Sequence, residues 1–217
     1  CGFCGVKTGR PETIDWEEPE KVARSIQLMK IKHAVITSVD RDDIKDGGSI
    51  IWAETINAIR RANPTTTLET LIPDFQGNKT NIDRILAVAP EVISHNLETV
   101  RRLTREVRIQ AKYDRSLEVL KYMKDQGQRR TKSGIMLGLG ETEAEVIETM
   151  QDLANAKVDI LTIGQYLQPS KKHLPVIEFI TPEQFDKYKE IGMEMGFKYV
   201  ESGALVRSSY KAQRHLV

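Results

Sequence analysis

The feature that most constrains the fold of this chain is a repeated alternation of short apolar runs with longer amphipathic stretches. The runs Ala34–Val39, Thr67–Ile72, Val92–Asn96, Lys132–Leu137 and Ile160–Leu167 are rich in β-branched residues. Most are nearly continuous rather than alternating, which is the pattern of strands covered on both faces in a parallel sheet. Between them, helical periodicity predicts helices near Pro19–Ile31, Ser49–Ala62, Lys79–Val88, Tyr113–Gln126, Glu143–Ala156 and Pro182–Met195. Strand–helix repeats of this kind build βαβ units. Five strands are predicted within the chain, and a further one just before Cys1. Periodicity does not separate an open doubly wound sheet from a barrel, but both collect ligands at the carboxyl ends of their strands.

Local punctuation agrees with these limits. Thr142-x-x-Glu145 is a capping box, and Thr181 followed by Pro182 puts proline at the first helical position. Gly127 and Gly196 stand where helices should stop. No linker or low-complexity tract divides the chain, so residues 1–217 are expected to form one domain, with a C-terminal extension from about 197.

Charge excludes some classes. Lys and Arg total 32 against 31 Asp and Glu, interspersed, for a net charge of +1. Nucleic-acid binding would require a basic stripe with interleaved aromatics, and none is present. No apolar run approaches the ~18 residues of a membrane helix. Two closely spaced cysteines make no disulfide framework, which points to a reducing compartment.

Those two cysteines, in Cys1-Gly2-Phe3-Cys4, are the densest chemical signal. Because a natural protein seldom begins on cysteine, the chain is expected to be cut from a longer one. Two thiolates spaced C-x-x-C can hold one side of a metal but cannot complete a four-coordinate site. Three readings fit the tetrapeptide. A thioredoxin-type dithiol needs a strand before it. Structural zinc needs a second ligand pair. The end of C-x-x-x-C-x-φ-C, with φ aromatic, would hold a 4Fe–4S cluster with one iron open.

The loops after the predicted strands carry the polar residues. The first is Thr37-Ser38-Val39-Asp40-Arg41-Asp42-Asp43 followed by Asp46-Gly47-Gly48, readable as a solvated loop or as backbone N–H groups offered to an anion. In His95-Asn96-Leu97-Glu98-Thr99, period-two geometry puts Asn96 and Glu98 on one side, an amide and a carboxylate suited to a ribose or amino group. His95 by itself reads as a structural histidine. Gly138-Leu139-Gly140 lacks the third glycine of a dinucleotide fingerprint, and no H-E-x-x-H or G-x-S-x-G is present.

In order, the chain carries C-x-F-C-x-V-K-T-x-R-P, T-S-V-D-R-D-D with D-G-G, H-N-x-E-T-V, K-S-x-I-M-L-G-L-G-E-T, L-T-I-G-Q-Y-L-Q-P and S-G-x-L-V-R-S-S-Y-K-A. This ordered set, from Cys1 to about Ala212, resembles the lipoyl synthase family of the radical S-adenosylmethionine superfamily. The resemblance implies an α/β fold, a partial (β/α)6 TIM-like barrel of parallel strands whose first strand is missing from this chain. It implies that Cys1 and Cys4 are the second and third ligands of a 4Fe–4S cluster. A second, auxiliary cluster in the full-length enzyme would take a serine of Arg207-Ser208-Ser209-Tyr210 as a ligand, with Ser209 the better match. Alkoxide is harder than thiolate, which suits a cluster consumed in use. The S-adenosylmethionine pocket is expected from Thr37, Ser38, Asp40, Asn96, Glu98, Lys132 and Gly138. All but Lys132 stand at or near strand carboxyl ends; Lys132 opens its strand.

The implied activity is insertion of two sulfur atoms into an octanoyl chain carried on a lipoyl carrier domain, of the glycine cleavage H protein or 2-oxoacid dehydrogenase E2 type. Flavodoxin or ferredoxin would supply electrons, in the cytoplasm or in an organellar matrix. This fragment alone is expected to be inactive, and aggregation-prone through a sheet edge left unpaired. The alternatives are a biotin-synthase-like sulfur inserter and, from other classes, a thioredoxin-like or zinc-binding module.

Overall fold

The computed structural model describes residues 2–6, 9, 13–128 and 130–216. Six strands, β1 His33–Thr37, β2 Thr67–Leu71, β3 Val92–Ser94, β4 Thr131–Leu137, β5 Ile160–Gln165 and β6 Tyr199–Gly203, form one sheet. All neighbours are parallel and their order follows the sequence, β1 to β6. A doubly wound sheet reverses its order at a switch point; a sequential order is that of a barrel wall. Among the described residues β6 does not pair with β1, so the barrel is open.

The expectation of five strands within the chain is corrected to six. The additional one, Tyr-Val-Glu-Ser-Gly, lies inside the segment read as a C-terminal extension. It escaped detection because only Val200 is buried on the helix side, while Glu201 and Gly203 face the interior of the barrel.

The helices are α1 Glu18–Met29, α2 Ser49–Ala62, α3 Lys79–Ala87, α4 Thr104–Val107, α5 Tyr113–Asp125, α6 Glu143–Asn155 and α7 Pro182–Glu194. Their starts and stops have chemical causes. Thr142 and Glu145 form the reciprocal capping box of α6, and Thr181 Oγ1 accepts from the Gln184 N–H at 3.2 Å before Pro182. Gly127 and Gly196, after α5 and α7, adopt φ of 91° and 94°, where a β-carbon is costly. Asp46-Gly47-Gly48 turns into α2 with φ of 58° and 81° at its glycines, and the Asp46 carboxylate accepts from the Ile50 N–H at 3.0 Å.

Alternate strand residues face the helices. Leu68, Ile93, Ile135, Leu161 and Ile163 pack with Ile56, Ile59, Ile85, Leu120, Met150 and Phe185 into one buried cluster. Complete burial of side chains of this size contributes about 1.5–3 kcal/mol each. The opposite face is polar: Glu69, Ser94 and Lys132 join there by hydrogen bonds. A groove of about 500 Å³ lies between α1 and the free edge of β1, lined by Val22, Ile26, Met29, His33 and Val35. It flanks the strand and is not at its carboxyl end.

Candidate functional site

The carboxyl ends of the strands are spanned by the N-terminal stretch. Gly2 is tied on both sides: its N–H donates to Val107 O at 3.0 Å, and its carbonyl accepts from Leu174 N–H at 2.9 Å. His173 Nε2 donates to the Cys4 carbonyl at 3.0 Å while its Nδ1 takes the Ser170 hydroxyl at 2.9 Å. These bonds hold half-buried Cys4 over the loops after β3 and β5. Its sulfur accepts the Val6 N–H at 3.5 Å. Cys1, its expected fellow ligand, lies outside the described residues. Among the described residues no group of three or more His, Cys, Asp or Glu could hold a metal ion. Cys4 is a single thiol donor, and a metal or cluster held there would need further ligands.

Beneath this strap the amide and carboxylate of the third loop meet. Asn96 Nδ2 donates to Glu98 Oε1 at 3.1 Å. The period-two argument for that meeting is corrected: β3 ends at Ser94, and Glu98 has a left-handed φ of 67°. Its backbone instead joins β4, taking Met136 N–H at 2.8 Å and giving its own N–H to Gly134 O at 2.9 Å. Burial raises the Glu98 pKa, opposed by Arg108 and by the Asn96 amide. Asn96 Oδ1 is buried with no partner, beside Gly134, where a β-carbon would lie 3.2 Å from it. An orphaned acceptor next to a carboxyl group fits a ligand that brings hydroxyl or amino donors.

The first loop is more exposed. Thr37 Oγ1 donates to Leu71 O at 3.2 Å, and Ser38 Oγ donates to Val39 O at 2.9 Å while accepting Trp52 Nε1–H at 3.0 Å. Asp40 is exposed, yet partial desolvation of its carboxyl first, and then Asp42 and Asp74, raise its pKa, opposed by Arg108 and Arg115. Gly138 has φ of 99° and faces Gln165 Nε2 and Glu178 O too closely for any side chain. The backbone N–H groups of Gly138 and Leu139 donate to the Glu141 carboxylate, so that glycine loop is filled by its own chain.

Lys132 and Ser209 are placed elsewhere. Lys132 has no exposure; its Nζ donates to Glu69 Oε1 at 2.8 Å, Glu69 Oε2 at 3.1 Å, and the Ser208 carbonyl. Ser209 is exposed, and its carbonyl accepts the Ala212 N–H at 3.3 Å. The structure thus joins Asn96 to Glu98 directly, gathers Thr37, Ser38 and Asp40 on one loop, and puts Lys132 with the R-S-S-Y segment.

Sequence reasoning passed over Arg108. It is half-buried, donates to Leu97 O at 3.0 Å, and acts electrostatically on both Asp40 and Glu98. Arg101, Arg102 and Arg115 nearby have carboxylate partners within 3.3 Å, whereas Arg108 has no ion pair among the described residues. Nothing in the sequence marks it among five arginines between 101 and 115.

The profile of the Radical SAM superfamily matches residues 1–153. The lipoyl synthase of Christiangramia forsetii is 79% identical over 216 residues, covering 100% of this chain and 74% of that protein. The mitochondrial lipoyl synthase of Nematostella vectensis is 78% identical, with the same coverage of 100% and 74%. The chain belongs to the lipoyl synthase family. Its fold recurs in solved structures at much lower identity. SuiB of Streptococcus suis, bound to precursor peptide SuiA, aligns with TM-score 0.72 at 12% identity over 98% of this chain and 48% of that one. Methylornithine synthase PylB aligns with TM-score 0.66 at 12% identity over 96% and 68%.

Proposed function

We propose that this chain is the catalytic barrel of an enzyme that inserts sulfur into a protein-bound octanoyl chain to make the lipoyl cofactor. The observation that carries the reading is 79% identity, along the whole chain, to a lipoyl synthase. The placement of Cys4 over the strand ends supports it. With Cys1 and a third cysteine, Cys4 would hold a 4Fe–4S cluster, and a second cluster belongs to the full-length enzyme. When bound, the cluster and S-adenosylmethionine supply one-electron chemistry that removes hydrogen from unactivated C–H bonds, which no side-chain acid or base can reach.

The residues of the barrel bind and orient. Asn96 and Glu98 are suited to ribose or amino donors, as their orphaned acceptor and burial-raised carboxyl indicate. Arg108 offers the positive charge that an amino-acid carboxylate needs. Thr37, Ser38 and Asp40 complete the near side of the pocket, and Gly138, packed against Gln165 and Glu178, is assigned to its far side. Lys132 remains an assigned pocket residue only through the Ser208 segment that it touches. Ser209 is assigned as the auxiliary-cluster ligand. The strap and loops exclude water and stray hydrogen donors from the reacting carbon.

The substrate is an octanoylated carrier domain of the H-protein or E2 type, and flavodoxin or ferredoxin supplies the electrons. The domain is residues 1–217, with the R-S-S-Y segment in its C-terminal part. The enzyme works in the cytoplasm or, in eukaryotes, in an organellar matrix, a reading supported by the mitochondrial lipoyl synthase among its relatives. No helix among the described residues is long and apolar enough to cross a membrane.

The test is anaerobic reconstitution of the full-length enzyme with octanoylated carrier. Two clusters per chain, and lipoyl product formed along with 5′-deoxyadenosine, are expected. Bound zinc, or a dithiol with no iron or acid-labile sulfide, sinks the reading.

A further inference from the structure

The C-terminal segment returns across the inner face of the sheet. After β6 ends at Gly203, Val206 is buried, and its carbonyl oxygen approaches Gly164 of β5 so closely that no β-carbon fits there. Two residues later the Ser208 carbonyl accepts from Lys132 Nζ on β4. The chain then enters a 3-10 turn, Ala212–Leu216, in which His215 has no exposure. The His215 ring lies 5.3 Å from that of Tyr199, the first residue of β6. Segment 204–216 therefore runs from the carboxyl end of β6 past the interior faces of β5 and β4 to the foot of the sheet.

Lys132 is the fixed point of that path. An ammonium has three protons, and here they have three acceptors: both Glu69 oxygens, at 2.8 and 3.1 Å, and the Ser208 carbonyl. Neither side chain of the ion pair has any exposure, and Ser94 Oγ donates to Glu69 Oε1 at 2.9 Å. In a dry interior an unmatched donor is costly, so the network is complete only while the tail is docked.

We propose that Lys132, held by Glu69, is the positioning residue that docks the R-S-S-Y segment, through the Ser208 carbonyl, against the inner face of the barrel wall and thereby fixes where Ser209 is presented. The second half of this statement rests on the assignment of Ser209 to the auxiliary cluster; the docking does not. With its three protons engaged, Lys132 acts on the chemistry through the tail and not by touching S-adenosylmethionine.

Hydrogen exchange over residues 204–216 tests the docking in the full-length apoprotein. Lys132→Met alone strands a buried Glu69, so the pair is also removed together in Glu69→Gln/Lys132→Met, and Gly164→Ala displaces Val206 while leaving the Lys132–Glu69 pair in place. Tail amides should exchange roughly tenfold faster or more in the double variant and in Gly164→Ala, with β2 to β4 still protected. A tail as protected as wild type in the double variant overturns the proposal, as does weakened S-adenosylmethionine binding there with tail protection unchanged. In the reconstituted enzyme the double variant should give the auxiliary-cluster Mössbauer signature of Ser209→Ala. A released tail with an unaltered signature overturns the claim that docking fixes where Ser209 is presented, whereas a wild-type signature in Ser209→Ala itself removes Ser209 as the ligand.

Discussion

His95 Nε2 and the Ser116 hydroxyl meet at 2.9 Å, fully buried beneath the loops of the barrel mouth. The other ring nitrogen, Nδ1, faces the Ile72 carbonyl at 2.9 Å. A carbonyl only accepts, so Nδ1 carries the proton and Nε2 accepts from Ser116. The neutral ring is satisfied on both sides, and a second proton has no acceptor reserved for it. Burial, then Arg108, holds the pKa at about 4. His215 is likewise lowered to about 4, by burial and then by Lys132 and His33.

Acid should therefore destabilise the fold through these two histidines. Both have pKa values near 4 in the fold against an ordinary 6.5. The unfolded chain binds the extra protons first, so stability is complete above pH 6.5 and is lost as pH falls toward 4. Each histidine can contribute on the order of 3 kcal/mol at the acid end. Denaturant midpoints measured across that range should fall with pH, and His215→Leu should flatten the fall. A profile unchanged by that substitution would remove His215 as a cause.

The α6 cap should fail at a lower pH. Hydrogen bonds from Arg102 and from the Thr142 N–H hold the Glu145 carboxyl at about 2, against 4.5. A depressed carboxyl stabilises above its unfolded pKa, so this contribution is present above pH 4.5 and is lost as pH falls through about 2. At neutral pH, Thr142→Ala should cost about 1 kcal/mol, the usual value of an N-cap. Calorimetric unfolding measures both effects.

Glu98 provides the most direct test of the pocket. In the full-length enzyme, Glu98→Ala should weaken S-adenosylmethionine binding by about 1–3 kcal/mol, the cost of stranding a buried polar partner. The Asn96 amide would then lose its neighbour at 3.1 Å. Isothermal titration calorimetry decides, and an unchanged affinity takes Glu98 off the pocket.

The two adjacent serines should separate in their chemistry. Ser209→Ala in the full-length enzyme should leave cleavage of S-adenosylmethionine largely intact while sulfur insertion falls steeply. Ser208 meets Lys132 through its backbone carbonyl, so Ser208→Ala should be milder. The quantity to measure is the ratio of lipoyl product to 5′-deoxyadenosine. If Ser209→Ala keeps the wild-type ratio, its hydroxyl is only a turn residue.

The sequence alone determined the elements that depend on near neighbours. Ser49–Ala62 was legible in full, because its apolar spacing and its Gly-Gly entry are local signals. The Thr142–Glu145 box, Thr181-Pro182, and the stops at Gly127 and Gly196 were legible for the same reason. The family was legible because its motifs occur in order along the chain. Only the tertiary structure decided that the sheet is a barrel wall, since strand order is a relation among segments that are far apart in sequence. It alone revealed β6, whose inward Glu201 and Gly203 break the apolar pattern of a buried strand. It alone brought Lys132, Glu69 and Ser208 together: the positions are separated by 63 and 76 residues, and the reason they meet is charge pairing in a dry interior that no local pattern encodes.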